Sequence, residues 1–171
     1  MVILFVMKTI KQFDIRPITT SDRPWVINLF IERWGSKRIV TRGTIHEIEK
    51  LDGFLAFHSD QKSGLLTYAI SENELEIVTL DSLVENIGIG SALISAAAEH
   101  AKQAGCHRIW LITTNDNMQA LRFYQKRGFH LVAVHQNALD SSRKLKPEIP
   151  LIGIDGIALR DEIELEIVLN S

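Results

Sequence analysis

The sequence predicts an α+β fold with a mixed, mostly antiparallel sheet flanked by helices. Three observations predict it. Three β-rich runs follow one another in the first half, at Gly53 to His58, Gly64 to Ile70 and Glu74 to Leu80, with only short polar turns between them, the pattern of a meander. From Gly90 onward the period changes to helix, strand, helix, strand. The last run, Glu162-Ile-Glu-Leu-Glu-Ile-Val-Leu169, alternates charged and apolar residues, as a strand with one wet face would.

Taken in order, Phe13 to Ile18 reads as a first strand. Thr20, Ser21 and Asp22 offer helix caps, and Pro24 is tolerated in a first turn. Trp25, Val26, Leu29, Phe30 and Trp34 then form one apolar helix face, closed by Gly35. Ser36 to Gly43 is a mixed loop, and Thr44 to Lys50 is expected to form a short helix. Arg42 could bind an acceptor carboxylate, but a solvated side chain is the first expectation for it and for His46. The meander follows, with turns at Ser59 to Ser63 and Ser71 to Asn73.

Ile77-Val-Thr-Leu80 leads into a polar turn with Gly88 and Gly90. Ile89, Leu93, Ala97 and Ala101 recur at helical spacing until Gly105. Arg108 to Thr113 is a buried strand, and Asn115 to Gly128 a helix with polar starters and a glycine stop. His130 to Gln136 is another strand. Asn137 to Pro150 is polar and basic, either a loop or a short helix, and Leu151 to Arg160 holds a further turn around Gly153 and Gly156.

The 171 residues suit a single domain spanning 1–171. With 46% hydrophobic and 23% charged residues the chain is globular rather than disordered. A net charge of −2 and the lack of a basic stripe argue against nucleic acid as a partner. The single cysteine, Cys106, cannot form an internal disulfide, which suits a cytoplasmic setting, and a buried structural thiol is expected there. No apolar run is long enough for a membrane helix, so no membrane partner is expected. Met1-Val-Ile-Leu-Phe-Val-Met7 is too short and lacks a charged start. Residues 1–8 read as a stray strand or as an extension, with Met7 the natural start.

The strand, glycine turn and helix N-terminus between Ile77 and Leu93 have a chemical use. The first amides of a helix lack partners and face the positive end of its dipole, so a phosphate or pyrophosphate can sit against them. A plain tight turn before a core helix is the alternative. Two familiar phosphate motifs are absent. A Rossmann fingerprint wants a small residue at Leu93 and an acid near Thr113 to Asn115, and a P-loop wants Gly-Lys-Ser/Thr.

The two halves of this region together resemble the GNAT superfamily of acyl-CoA-dependent N-acyltransferases. The first signature, Arg/Gln-x-x-Gly-x-Gly/Ala, is matched at Glu85-Asn-Ile-Gly88-Ile-Gly90. The second is matched at Asn117, Ala120, Phe123, Tyr124, Gly128 and Phe129. The similarity covers about residues 13 to 138. Glu85 stands where the motif carries a basic or amide residue, Asn86 where glycine is frequent, and Ser82 where proline is. The ending from Pro147 resembles an uncharacterised bacterial subgroup of the same superfamily.

That resemblance implies an N-acetyltransferase with acetyl-CoA as cosubstrate and no metal. It implies that the amides of Asn86, Ile87, Gly88, Ile89, Gly90 and Ser91 hold the pyrophosphate. The pantetheine arm would pair with backbone at Leu80, Asp81 and Ser82, where the central strand splays from its parallel neighbour. The Leu80 amide would polarise the thioester carbonyl, and Asn117 would cap its helix and contact the arm. Tyr124 becomes the general acid for the leaving thiolate and a cofactor contact, and Glu76 the general base, with Asp81 and His135 as further options. The acceptor is a small-molecule amine or a protein amine, and a homodimer is left open. Residues 137–161 become a flap over the acceptor site or a surface insertion. The competing function is a module that binds acyl-CoA as a sensor without turnover.

Overall fold

The computed structural model describes residues 13–169, so the Met1–Met7 run lies outside the described residues. The chain order is β1 (Asp14–Pro17), α1 (Arg23–Trp34), β2 (Arg38–Thr41), β3 (Thr44–Glu47), β4 (Asp52–His58), β5 (Gln61–Ser71), β6 (Glu74–Ser82), α2 (Ile89–Gln103), β7 (Arg108–Thr114), α3 (Met118–Gln125), β8 (His130–His135), α4 (Ala138–Leu145) and β9 (Glu162–Val168). Seven strands form one sheet in the order β1-β4-β5-β6-β7-β9-β8, and β2 and β3 form a separate hairpin. Among the described residues only β6 and β7 run parallel. The expected α+β architecture is the observed one.

Two cores hold the layers together. On one face α2 packs Ile89, Leu93, Ala97 and Ala101 against Leu66, Leu75, Ile77 and Ile109. On the other, Val26, Leu29 and Phe30 of α1 pack on Leu55, Leu65 and Val78. The Asp22 carboxylate fixes the entry to α1, accepting from the Thr19 amide and hydroxyl and from both terminal nitrogens of Arg16.

Three expectations change. Thr44 to Lys50 is not a helix but a strand followed by one 3-10 turn at Ile48–Lys50, because β-branched residues in Arg38–Thr41 and Thr44–Glu47 pair across Arg42-Gly43. The hairpin between β4 and β5 is tighter than a Ser59–Ser63 loop. Its turn is Ser59-Asp60, both at positive φ, as at Glu72-Asn73 in the next hairpin. The charged face of β9 is not wet. Glu162 is 1% and Glu164 3% exposed, held in an ionic cluster rather than solvated.

The segment 137–161 is held by polar anchors, two of them buried. Asn115 accepts from the Arg160 and Asp161 amides and donates to the Ala158 carbonyl. The buried Asp116 accepts from the Ile154 amide. Lys146, also buried, donates to the carbonyls of Trp34 and Arg38, tying the segment to the end of α1 and to β2.

Candidate active site

Strand β6 sets out the site. Its parallel pairing with β7 runs from Glu74–Arg108 to Ile77–Leu111 and stops, while β6 continues to Ser82 and β7 to Thr114. A gap therefore opens between two neighbouring strands. The cause lies on the other side of β6. Thr67 pairs with Thr79 but Tyr68 pairs with Ile77, which leaves Val78 as the extra residue of a bulge. A bulge bends its strand and shifts which side chains share a face. Val78 joins the α1 core, and Leu80 joins the α2 side.

The gap leads into a cleft of about 550 Å³, bounded by β6, the turn before α2, and α3. Gly88 caps α2 at φ 93°, a left-handed conformation that glycine adopts without cost, and Asn86 sits at φ 62°. Ala92, bonded to the Gly88 carbonyl, is the first amide tied into the helix, so those of Ile89, Gly90 and Ser91 have no helical partner. Gly90 is small for a separate reason: a Cβ there would meet the Phe123 ring at 2.9 Å. The two glycines thus serve the turn and the packing of α2 on α3 respectively.

The opposite wall is α3, capped by the Asn117 side chain, which accepts from the Ala120 amide. It brings Tyr124, Arg122, Lys126 and Arg127 to the cleft, so three cations stand against the single carboxylate of Glu85. Arg127 donates from Nε to the Ser91 hydroxyl and lies 3.4 Å over the Phe123 ring, spanning α3 and α2. These cations went unread in the sequence. Their signal was the spacing of Arg122 and Lys126, four apart on a helix already placed beside the glycine turn. Tyr124 packs edge-on against Phe123 and Phe129. Burial pushes its phenol well above the usual value, the Asp81 carboxylate adds to this, and Arg127 opposes it.

Strand alternation divides the two sides. Leu80 and Ser82 line the cleft, and the Asp81 side chain between them is turned to the α1 face, beside Trp34 and Arg33. Burial raises the Asp81 carboxyl, with Trp34 and Arg33 drawing it partly back. Glu76 lies on that same face, buried. Its Oε1 accepts from the Thr41 hydroxyl at 2.6 Å and its Oε2 is 3.2 Å from His46 Nε2. His46 is therefore not solvated but part of a buried Thr41–His46–Glu76 group.

Arg42 is not simply solvated either. Its guanidinium donates to Glu164 and its amide to Glu162. His135 shares the same Glu164 oxygen, and Arg108 bridges Glu74, Glu164 and Glu166. Burial raises the Glu162 carboxyl, and the Arg42 amide partly offsets that. Cys106 is buried, and its thiol is raised by that burial.

Of the residues singled out from sequence, Leu80, Ser82, Asn86, Gly88, Ile89, Gly90, Asn117 and Tyr124 meet at the cleft. Ser91 borders it through Arg127, whereas Ile87 packs on the α2 core. Glu76 and Asp81 stand across the sheet, and His135 is held by Glu164 at the far strands. Among the described residues no group of three or more His, Cys, Asp or Glu side chains could hold a metal, and no helix is long and apolar enough to cross a membrane.

A splayed parallel pair beside a basic, glycine-capped helix end is the arrangement of a nucleotide-thioester acyltransferase fold. Residues 16–129 match the acetyltransferase (GNAT) family. The uncharacterised protein YdhI of Bacillus subtilis (strain 168) is 45% identical over 144 residues, 84% of this chain and 90% of that protein. A Bacillus subtilis acetyltransferase crystallised in complex with CoA superposes with a TM-score of 0.66 at 21% identity, over 93% of this chain and 99% of that one. A GNAT family acetyltransferase from Elizabethkingia anophelis with acetyl-CoA bound gives 0.68 at 20% identity, with the same coverage. The chain belongs to the GNAT acetyltransferase family, whose reaction is acetyl-CoA-dependent acetylation.

Proposed function

We propose that this protein transfers an acetyl group from acetyl-CoA to a primary amine by direct attack. One observation carries the reading: the β6–β7 gap opens past Ile77–Leu111 directly into the cleft that holds the unpartnered α2 amides and Tyr124. The donor set there fits a diphosphate. It combines helix N-terminal amides with Arg122, Lys126 and Arg127, and the left-handed Gly88 leaves the turn free of a side chain. When bound, acetyl-CoA supplies an activated thioester.

The remaining steps belong to the chain. Free strand backbone at Leu80 to Ser82 aligns an extended arm, and the Leu80 amide polarises a carbonyl laid in the gap. Glu76 takes the proton of the incoming amine, oriented by Thr41 and His46. Holding both reactants in the gap supplies much of the rate by itself. Tyr124 donates its hydroxyl proton toward the departing sulfur. Its raised phenol keeps that proton in place until the sulfur carries charge, and Arg127 steadies the phenolate that follows.

The test has two arms. Acetyl-CoA at a hundredfold over its Kd should stabilise the fold by about 2.7 kcal/mol, a rise on the order of 5–10 °C in Tm. A panel of amines should then release free CoA thiol. A Tm shift without thiol release for any amine would favour a sensor. No shift at millimolar acetyl-CoA would overturn the assignment altogether.

A further inference from the structure

The transfer reaction leaves one carboxylate of the site unused. Asp81 Oδ2 is buried and has no hydrogen-bond partner among the described residues. Buried carboxylate oxygens are nearly always paired, so an orphan calls for a donor from outside. The Val78 bulge and the alternation after it aim Asp81 away from the Leu80–Ser82 side, so the CoA cleft does not supply that donor. Beside it stands the indole of Trp34, the last residue of α1, 42% exposed and within hydrogen-bonding reach of the carboxyl, with the Arg33 cation nearby, so Oδ2 alone is left over. Lys146 grips the Trp34 carbonyl from the 137–161 segment, which fixes the main chain that carries the indole. A carboxylate beside an aromatic side chain is the chemistry that recognises an ammonium.

We infer that Asp81 and Trp34 seat a second, unreacting ammonium of the acceptor, so that the acceptor class is diamines and polyamines. This rests on the acetyltransferase reading of the same site. The reacting nitrogen must arrive neutral, and a carboxylate in direct contact would hold it protonated. The nitrogen at Asp81 is therefore not the one acetylated. Glu76 lies five positions back on the same face of β6, with the strand opening between them, so one chain carrying two nitrogens reaches both.

The probes are putrescine and spermidine, with glutamate and a monoamine as comparisons. Binding is followed by calorimetry and by Tm, each with and without CoA, and turnover by thiol release. Expected is a diamine-induced Tm rise that Asp81→Asn abolishes, with at least a tenfold loss of diamine affinity in that variant and a smaller loss in Trp34→Leu. Unliganded Asp81→Asn should melt at or above the wild-type temperature, since it removes an unpaired buried charge. Equal diamine binding by Asp81→Asn, or tighter binding of glutamate through Arg33, would overturn the inference. So would loss of acetyl-CoA affinity in Asp81→Asn, which would assign the side chain to the donor. Turnover of monoamines or glutamate without diamine preference would sink the inference and leave the transferase intact. Diamine binding without any thiol release would do the reverse.

Discussion

The Phe123 ring stands 2.9 Å from the position that a Cβ on Gly90 would occupy, so α2 and α3 meet at the wall of the cleft. Arg127 lies over the same ring and reaches Ser91. Gly90→Val should push Phe123 outward and carry Arg127 with it. Overpacking of this kind costs about 1–3 kcal/mol. Thermal unfolding should show that loss, and calorimetry should show acetyl-CoA binding weakened by an order of magnitude or more. Unchanged affinity would mean that this junction does not grip the cofactor.

Tyr124→Phe separates chemistry from binding. The ring contacts with Phe123 and Phe129 survive, since only the hydroxyl is removed. General-acid contributions are typically 10²–10⁴-fold, so kcat should fall by about that factor. The KM for acetyl-CoA should change little. A variant as fast as the wild type would dismiss Tyr124 as the acid.

Glu76→Gln should be as damaging to turnover, by about 10²–10⁴-fold, while the acetyl-CoA-induced Tm rise persists. The substitution keeps the size of the side chain among Thr41 and His46 but removes its charge. Steady-state rates with saturating amine read the effect. Full activity would move the base to another group on that face.

Most of the fold was legible because local signals agreed with the tertiary answer. The meander, both signature helices and every strand after Gly90 could be read from period and glycine stops. What escaped depended on partners distant in sequence. Nothing in Glu162 to Val168 says that this strand inserts between β7 and β8, and the insertion is what buries Glu162 and Glu164 against Arg42, Arg108 and His135. His46 looked solvated for the same reason: its partner Glu76 is thirty positions away. The site was half legible. The glycine turn and Tyr124 announce themselves locally, whereas the division of β6 between Leu80 and Asp81 follows from a bulge at Val78 that no residue type marks.

Asp22 offers a pH test of the fold. Arg16 beside it, with Thr19 and Lys62, holds its carboxyl far below the usual carboxylate range. A depressed carboxyl contributes stability that is complete above the unfolded value of about 3.9 and fades as pH falls through the folded one. Asp22→Asn should therefore cost about 2–4 kcal/mol near neutrality. The difference from wild type should shrink steadily below about pH 4. Denaturant midpoints across pH measure both. A gap independent of pH would deny the carboxylate its role.

Lys146 tests whether the segment 137–161 serves the acceptor side. Its ammonium is buried, which lowers its pKa, and it donates to the carbonyls of Trp34 and Arg38. Lys146→Met keeps the apolar stem but leaves both carbonyls without that donor, at a cost of about 1–3 kcal/mol. The other anchors remain: Asn115 and Asp116 hold the far end of the segment, and Asp161 holds its start at Asn137. Loosening should thus be local, seen as faster amide exchange across Ala138–Leu145 with little change in β7 or α2. Since Trp34 borders Asp81, the KM for amine should rise several-fold, while the KM for acetyl-CoA, bound across the sheet, should hold. Equal changes in both constants would show instead that the segment stabilises the whole domain without favouring the acceptor.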